Sequence, residues 1–290
     1  MRNFTHFAAI DWSGAASERL KGIAVALCDL GSGPPRIVRP GHRWSRAEVR
    51  DWLLAEMPAD TLSGLDLGVS LPFADVGAFF PGWQDSPLDA RALWRQIETI
   101  CAGDPHLSVT SFVDHVEGSR YFRRHGGRRG DRFGEAKRGR FRRTELAQEA
   151  AGCRPYSNLN LVGAAQVGKS SLTGMRVLHA IDGQLPIWPF DPVPDNGSLV
   201  VEIYTTVAAV AAGRTPSRSK MRSFAALNDA LTHSNIGSQP VAGDGAVDDH
   251  TSDALLTAAW LRAVAGDPDL WSPRGLNEVR HTEGWTFGVR

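Results

Sequence analysis

Two carboxylates lie in segments that must otherwise be buried, and they constrain the fold more than any other feature of the chain. Asp11 closes the apolar run Phe7-Ala8-Ala9-Ile10, and Asp66 lies within the apolar stretch 62–71, which Pro72 ends. An ionised carboxylate on such a strand loses its hydration unless a positive charge replaces it. One such residue has an ordinary explanation, a capped turn or an arginine partner. Two on neighbouring buried strands repel each other, and a divalent cation is the usual reason for a fold to keep both.

The pattern around them predicts an α/β fold. Apolar residues 7–10 and 22–27 flank the turn-like Trp12-Ser13-Gly14-Ala15, which predicts a hairpin. A third extended stretch over 35–44 precedes Ser45-Arg46-Ala47-Glu48, a capping box that opens a helix to about Met57. Residues 62–71 then read as a parallel strand entered from that helix. A helix is expected over 87–102 with Leu88, Ala92, Leu93, Ile97 and Ile100 inward. Another strand is expected over 199–204, and helices near 206–212, 220–233 and 246–265. Residues 155–197, rich in Pro, Gly, Asn and Ser, are expected to be largely irregular. The sum is one domain over 1–290, a mixed five-stranded sheet with helices on both faces, carrying a basic, Gly/Pro-rich insertion within 104–197.

Composition removes several classes. With 42% hydrophobic and 22% charged residues, the chain is that of a folded domain. The net charge is zero, so any attraction to nucleic acid has to be local. Cys28, Cys101 and Cys153 are widely spaced and form no zinc-ligand pattern, which predicts reduced core thiols. No window approaches eighteen apolar residues and no signal-peptide run opens the chain, so a cytoplasmic protein off the membrane is expected.

Further carboxylates open the last long helix, Asp248-Asp249-His250-Thr251-Ser252-Asp253-Ala254-Leu255-Leu256. Asp249 and Asp253 are four residues apart and share a face, a like-charge pair that costs a helix a few tenths of a kcal/mol. On an Ala- and Leu-rich face, the pair again asks for a cation. Oxygen-only ligation selects Mg2+ or Mn2+ over zinc. Two such ions about 4 Å apart activate a water and stabilise the leaving oxygen in phosphodiester cleavage. His250, beside the acids, is a candidate supporting group, whereas His6, His42 and His233 show no partner pattern.

A hairpin-first order with acids on the first strand, the fourth strand and the last helix resembles the ribonuclease H-like superfamily. The motifs Ala9-Ile10-Asp11-Trp12-Ser13-Gly14, Leu65-Asp66-Leu67-Gly68-Val69-Ser70-Leu71-Pro72, Val201-Glu202-Ile203-Tyr204, Asp253-Ala254-Leu255 and Glu283-Gly284-Trp285 resemble the domain of unknown function 429 family. That family is regarded as predicted nucleases of ribonuclease H fold, and the similarity spans nearly the whole chain. The resemblance implies metal binding by Asp11, Asp66 and Asp253, with Asp249 and Glu202 as additional ligands or a base. Thr205 stands where the family pattern has Pro.

Two other signals compete. Gly163-Ala164-Ala165-Gln166-Val167-Gly168-Lys169-Ser170 satisfies the phosphate-loop pattern G-x-x-x-x-G-K-[ST] in full. Its context is wrong, because the half-polar Tyr156-Ser157-Asn158-Leu159-Asn160-Leu161-Val162 precedes it and Gly174 should interrupt the following helix. Lys169 can instead hold a phosphate of a nucleic acid. Residues 118–145 contain eleven Lys or Arg and six Gly, and read as a mobile basic loop. Arg123, Arg124, Arg128, Arg129, Lys137 and Arg138 are its candidate phosphate contacts, with Tyr121, Phe122, Phe133 and Phe141 as candidate stacking groups. The function expected is divalent-metal-dependent hydrolysis of nucleic-acid phosphodiesters. The alternatives are an ATP- or GTP-binding protein using the 163–170 loop, and a catalytically silent nucleic-acid-binding module.

Overall fold

A computed structural model describes residues 2–134, 138–162 and 167–290. Strand β1 (His6–Asp11) pairs antiparallel with β2 (Ala24–Asp29), and β2 pairs with the two-residue β3 (Arg36–Ile37). Helix α1 (Arg46–Asp51) continues into a π turn over Trp52–Glu56 and leads to β4 (Thr61–Leu65), parallel to β1. The capping box is formed, with Ser45 accepting from the Glu48 amide at 3.1 Å and Glu48 from the Ser45 amide at 2.7 Å. Helices α2 (Ala90–Ile100), α3 (Thr110–Val113), α4 (Arg143–Ala150) and α5 (Val167–Ile181) follow. Strand β5 (Leu199–Glu202) then joins β4 in parallel. Helices α6 (Thr205–Ala211), α7 (Phe224–Leu231), α8 (Asp249–Val264) and α9 (Leu276–Val279) complete the chain. The sheet is five-stranded and mixed, in the order β3-β2-β1-β4-β5.

The central strands are covered on both faces, which is why they read as continuous apolar runs. Alternate residues of β1 enter opposite layers. Ala8 and Ile10 pack with α2 and α5, while Phe7 and Ala9 pack with α6, α7 and α8. Cys28, Cys101 and Cys153 are buried free thiols, and burial pushes Cys28 and Cys101 up to about 12. Among the described residues, no helix is long and apolar enough to cross a membrane.

Three expectations are corrected. Residues 155–197 are largely irregular outside α5, but that helix runs through their middle and straight past Gly174. A Cβ at Gly174 would stand 2.3 Å from the Leu67 side chain, so this glycine serves close helix-to-chain packing and does not end the helix. Leu88 precedes α2 and is exposed, and Trp94 takes the inward position, its indole donating to the Val69 carbonyl at 2.8 Å. The basic segment does build into the core. Tyr121 and Phe122 are buried against Phe80 and Phe112, and Phe133 is buried in the same core, so they are not surface stacking groups. Three aromatic rings hold the segment down despite its charge, since each buries far more apolar area than an aliphatic side chain. Lys137 and residues 163–166 of the glycine-rich loop lie outside the described residues.

Candidate carboxylate site

The alternation of β1 decides the direction of Asp11. Phe7 and Ala9 face α8, and Asp11 is the next residue on that side. Asp66 lies one residue beyond β4 and extends the ladder, its amide donating to the Ile10 carbonyl at 2.9 Å. Like Leu62, it falls on the α8 side. Helix α8 is opened by Asp248, whose side chain caps the Thr251 amide at 2.9 Å, and its first turns present His250 and Asp253 to the strands. The carboxylates of Asp11, Asp66 and Asp253 therefore meet at the carboxyl ends of β1 and β4.

What meets them was not visible in the sequence. The Lys220 ammonium forms an ion pair and hydrogen bond with Asp253, whose side chain is 4% exposed. His250 Nδ1 lies 2.5 Å from an Asp11 oxygen. The Thr205 hydroxyl donates to Asp66 at 3.4 Å. Burial first, and then the Asp11 and Asp253 carboxylates, hold the Asp66 carboxyl well above its ordinary range, with Lys220 pulling the other way. Burial also raises Asp253 to about 6, against the pull of Lys220 and with the push of Asp11. The hydrogen bond to Asp11 raises His250. Burial works against the charge of Lys220, but Asp253 outweighs it and the net shift is upward. Two buried carboxylates, Asp11 and Asp253, and the half-buried Asp66 thus share one ammonium and one imidazole.

These shifts fix a pH dependence. Asp253 is more readily protonated in the fold than in the unfolded chain, where its value is 3.8. Its contribution is therefore most favourable below that value and is lost as pH rises to about 6. In metal-free buffer, the stability of the wild type relative to Asp253→Asn should fall by about 3 kcal/mol between about pH 4 and pH 7. Urea unfolding of both proteins across that interval checks it, and a difference independent of pH contradicts it.

The remaining expected residues divide. Asp249 sits at the rim, 3.3 Å from the exposed Arg222. Glu202 is buried and fully engaged: Arg142 donates at 2.6 and 2.8 Å, the Thr286 hydroxyl at 2.5 Å and the Val69 amide at 2.8 Å. It lines the same cavity as Asp66, but its charge is already matched. That cavity, of about 310 Å³, also has Trp12, Ser170, Tyr204 and Lys220 in its walls. The basic residues separate as well. Arg138 pairs with Glu149 at 2.7 Å, Arg129 lies over the Phe133 ring at 5.4 Å, and the backbone of Arg123 bridges to Arg129 and Asn160. Arg124, Arg128 and Lys169 line one further cavity.

Arg46 reads in the sequence only as part of the capping box, and the fold buries it. Its guanidinium donates to the carbonyls of Ser13, Ala15 and His106 and so holds the turn that follows Asp11. Among the described residues, no three His, Cys, Asp or Glu side chains are spaced to enclose an ion in this arrangement. Lys220 stands on Asp253 where a cation would be needed. No family model, curated protein or solved structure matches this chain.

Proposed function

We propose that the chain is a divalent-metal-dependent phosphodiester hydrolase on a ribonuclease H-like scaffold, acting on nucleic acid. The observation that carries this reading is the convergence of Asp11, Asp66 and Asp253 from three elements into one largely buried cluster that a single ammonium undercompensates. The strand order β3-β2-β1-β4-β5, with acids after β1 and β4 and on the last long helix, supports the scaffold.

The donor set is all carboxylate oxygen, which suits Mg2+ or Mn2+, and Asp11, Asp66 and Asp253 would hold the ion. When bound, the ion supplies charge neutralisation and a more acidic water. The chain's own residues do the rest. His250 orients Asp11 through its 2.5 Å contact. Lys220 lines the cavity, where its ammonium would pair with a phosphate oxygen. Trp12 and Tyr204 narrow the cavity with apolar surface and restrict water.

The test is a Mn2+ titration of the purified protein, read by thermal unfolding and by cleavage of labelled DNA and RNA, single-stranded and duplex. Mn2+ should raise the melting temperature of the wild type and leave Asp66→Asn almost unmoved. Cleavage should need Mn2+ or Mg2+ and vanish in EDTA. Stabilisation by Mn2+ without cleavage of any of the four substrates would sink the hydrolytic reading.

A further inference from the structure

A second cavity, of about 130 Å³, opens on the other side of the Asp11–Gly14 turn from the carboxylates. The two cavities share walls. Trp12 lines the acidic one and Gly14 the other, while neighbouring Ser170 and Lys169 of α5 divide in the same way. The wall is close-packed. A Cβ at Gly14 would stand 2.6 Å from both Lys169 Cβ and the Ser170 amide nitrogen, and the Trp12 indole donates to Thr173 at 3.2 Å.

The second cavity is basic. Lys169, Arg124 and Arg128 reach it from α5 and from the arginine-rich segment, with one carboxylate, Asp114, among its lining residues. Asp114 binds Arg124 at 2.7 Å and orients it. Arg128 is fixed through Nε, which donates to the His125 carbonyl at 3.1 Å, so its two terminal nitrogens remain for a ligand. Among the described residues, neither Lys169 nor Arg128 has a carboxylate partner, so the cavity carries excess positive charge. Fixed cations around a small recess are the chemistry of an oxyanion site.

We infer that this cavity is a phosphate subsite, taking the phosphate of a nucleic-acid strand next to the one at the carboxylates. It rests on the hydrolase reading for its neighbour, but its own chemistry is independent of any metal. Size and lining select a strand over a free nucleotide. About 130 Å³ accepts a tetrahedral oxyanion but falls below the roughly 300 Å³ of sites that enclose whole small molecules. No Phe, Tyr or Trp lines it and the imidazole of His125 is the one ring in its lining, a poorer stacking platform than the aromatic pairs of single-strand grooves.

The test is fluorescence anisotropy with a labelled single strand of about 12 nucleotides, titrated in EDTA at several salt concentrations. Lys169→Met and Arg128→Ala should each weaken binding about fivefold to tenfold and make the salt slope shallower by about 0.7, one phosphate contact. Arg95→Ala, on α2 and outside both cavities, should leave both quantities unchanged. Inorganic phosphate should compete only at high concentration. Competition by ATP that is as strong as by the strand overturns the strand assignment in favour of a nucleotide site. Unchanged slopes in both variants overturn the subsite itself. Because binding is read in EDTA, absent Mn2+-dependent cleavage with altered slopes removes the hydrolase reading and leaves the subsite standing.

Discussion

Asp11→Asn is expected to fold normally and to lose about 10³-fold in Mn2+-dependent cleavage. The loss corresponds to about 4 kcal/mol, within the several kcal/mol that metal charge stabilisation supplies in such reactions. The substitution keeps the shape of the side chain and its reach to His250, and removes only the charge. In the metal-free protein that charge is a burden, because it pushes both Asp66 and Asp253 upward. The variant should therefore unfold at the same or a higher temperature than the wild type in EDTA, and Mn2+ should no longer stabilise it. This combination separates a ligand from a structural carboxylate, since losing a structural one would lower the melting temperature in EDTA. Cleavage surviving at more than a tenth of the wild-type rate would falsify the assignment of Asp11.

Arg142→Met is expected to cost about 3–5 kcal/mol of stability, the usual consequence of removing one partner from a buried ion pair. Arg142 is 1% exposed and ties the basic segment to the sheet. Its guanidinium serves the Glu202 carboxylate, Glu145 at 2.8 Å and the Glu283 carbonyl at 3.0 Å. Burial first, and then the Glu202 charge, push Glu145 up, and Arg142 opposes that shift. Without the arginine, two buried carboxylates face each other in a medium that solvates neither. They would take up protons, so the deficit measured by urea unfolding should shrink as the pH is lowered. Adding Glu145→Gln and Glu202→Gln to Arg142→Met should recover part of the loss, because uncharged groups need no counter-ion. If the single variant loses less than about 1 kcal/mol, this network is not what anchors the segment.

The legible parts of the site were those encoded in short range. Asp11 and Asp66 stood out because each interrupts an apolar run, but the side they share depends on the pairing of Ile10 with Leu65, which only the folded sheet sets. Asp253 followed from helical spacing. Lys220 did not stand out. It lies 33 residues from Asp253, in the loop before α7 although the pattern predicts a helix from about 220, and nothing local ties it to an acid. The arginine-rich segment misled for a related reason. Its charge is visible residue by residue, but the partners that bury Tyr121 and Phe122 are Phe80 and Phe112, supplied by other parts of the chain.

The amino-acid sequence by itself determined the α/β class, the hairpin-first mixed sheet, and three of the carboxylates that gather at its edge. Periodicity, capping and burial act over a few residues, and a few residues suffice to read them. The tertiary structure alone decided which positive group answers each negative one: Lys220 for Asp253, His250 for Asp11, and Arg142 for Glu202 across 60 residues of chain. It also decided that Lys169 and two arginines share one recess while Arg138 belongs elsewhere. Charge pairing depends on distance in space, and only the packed helices and strands bring these residues within that distance.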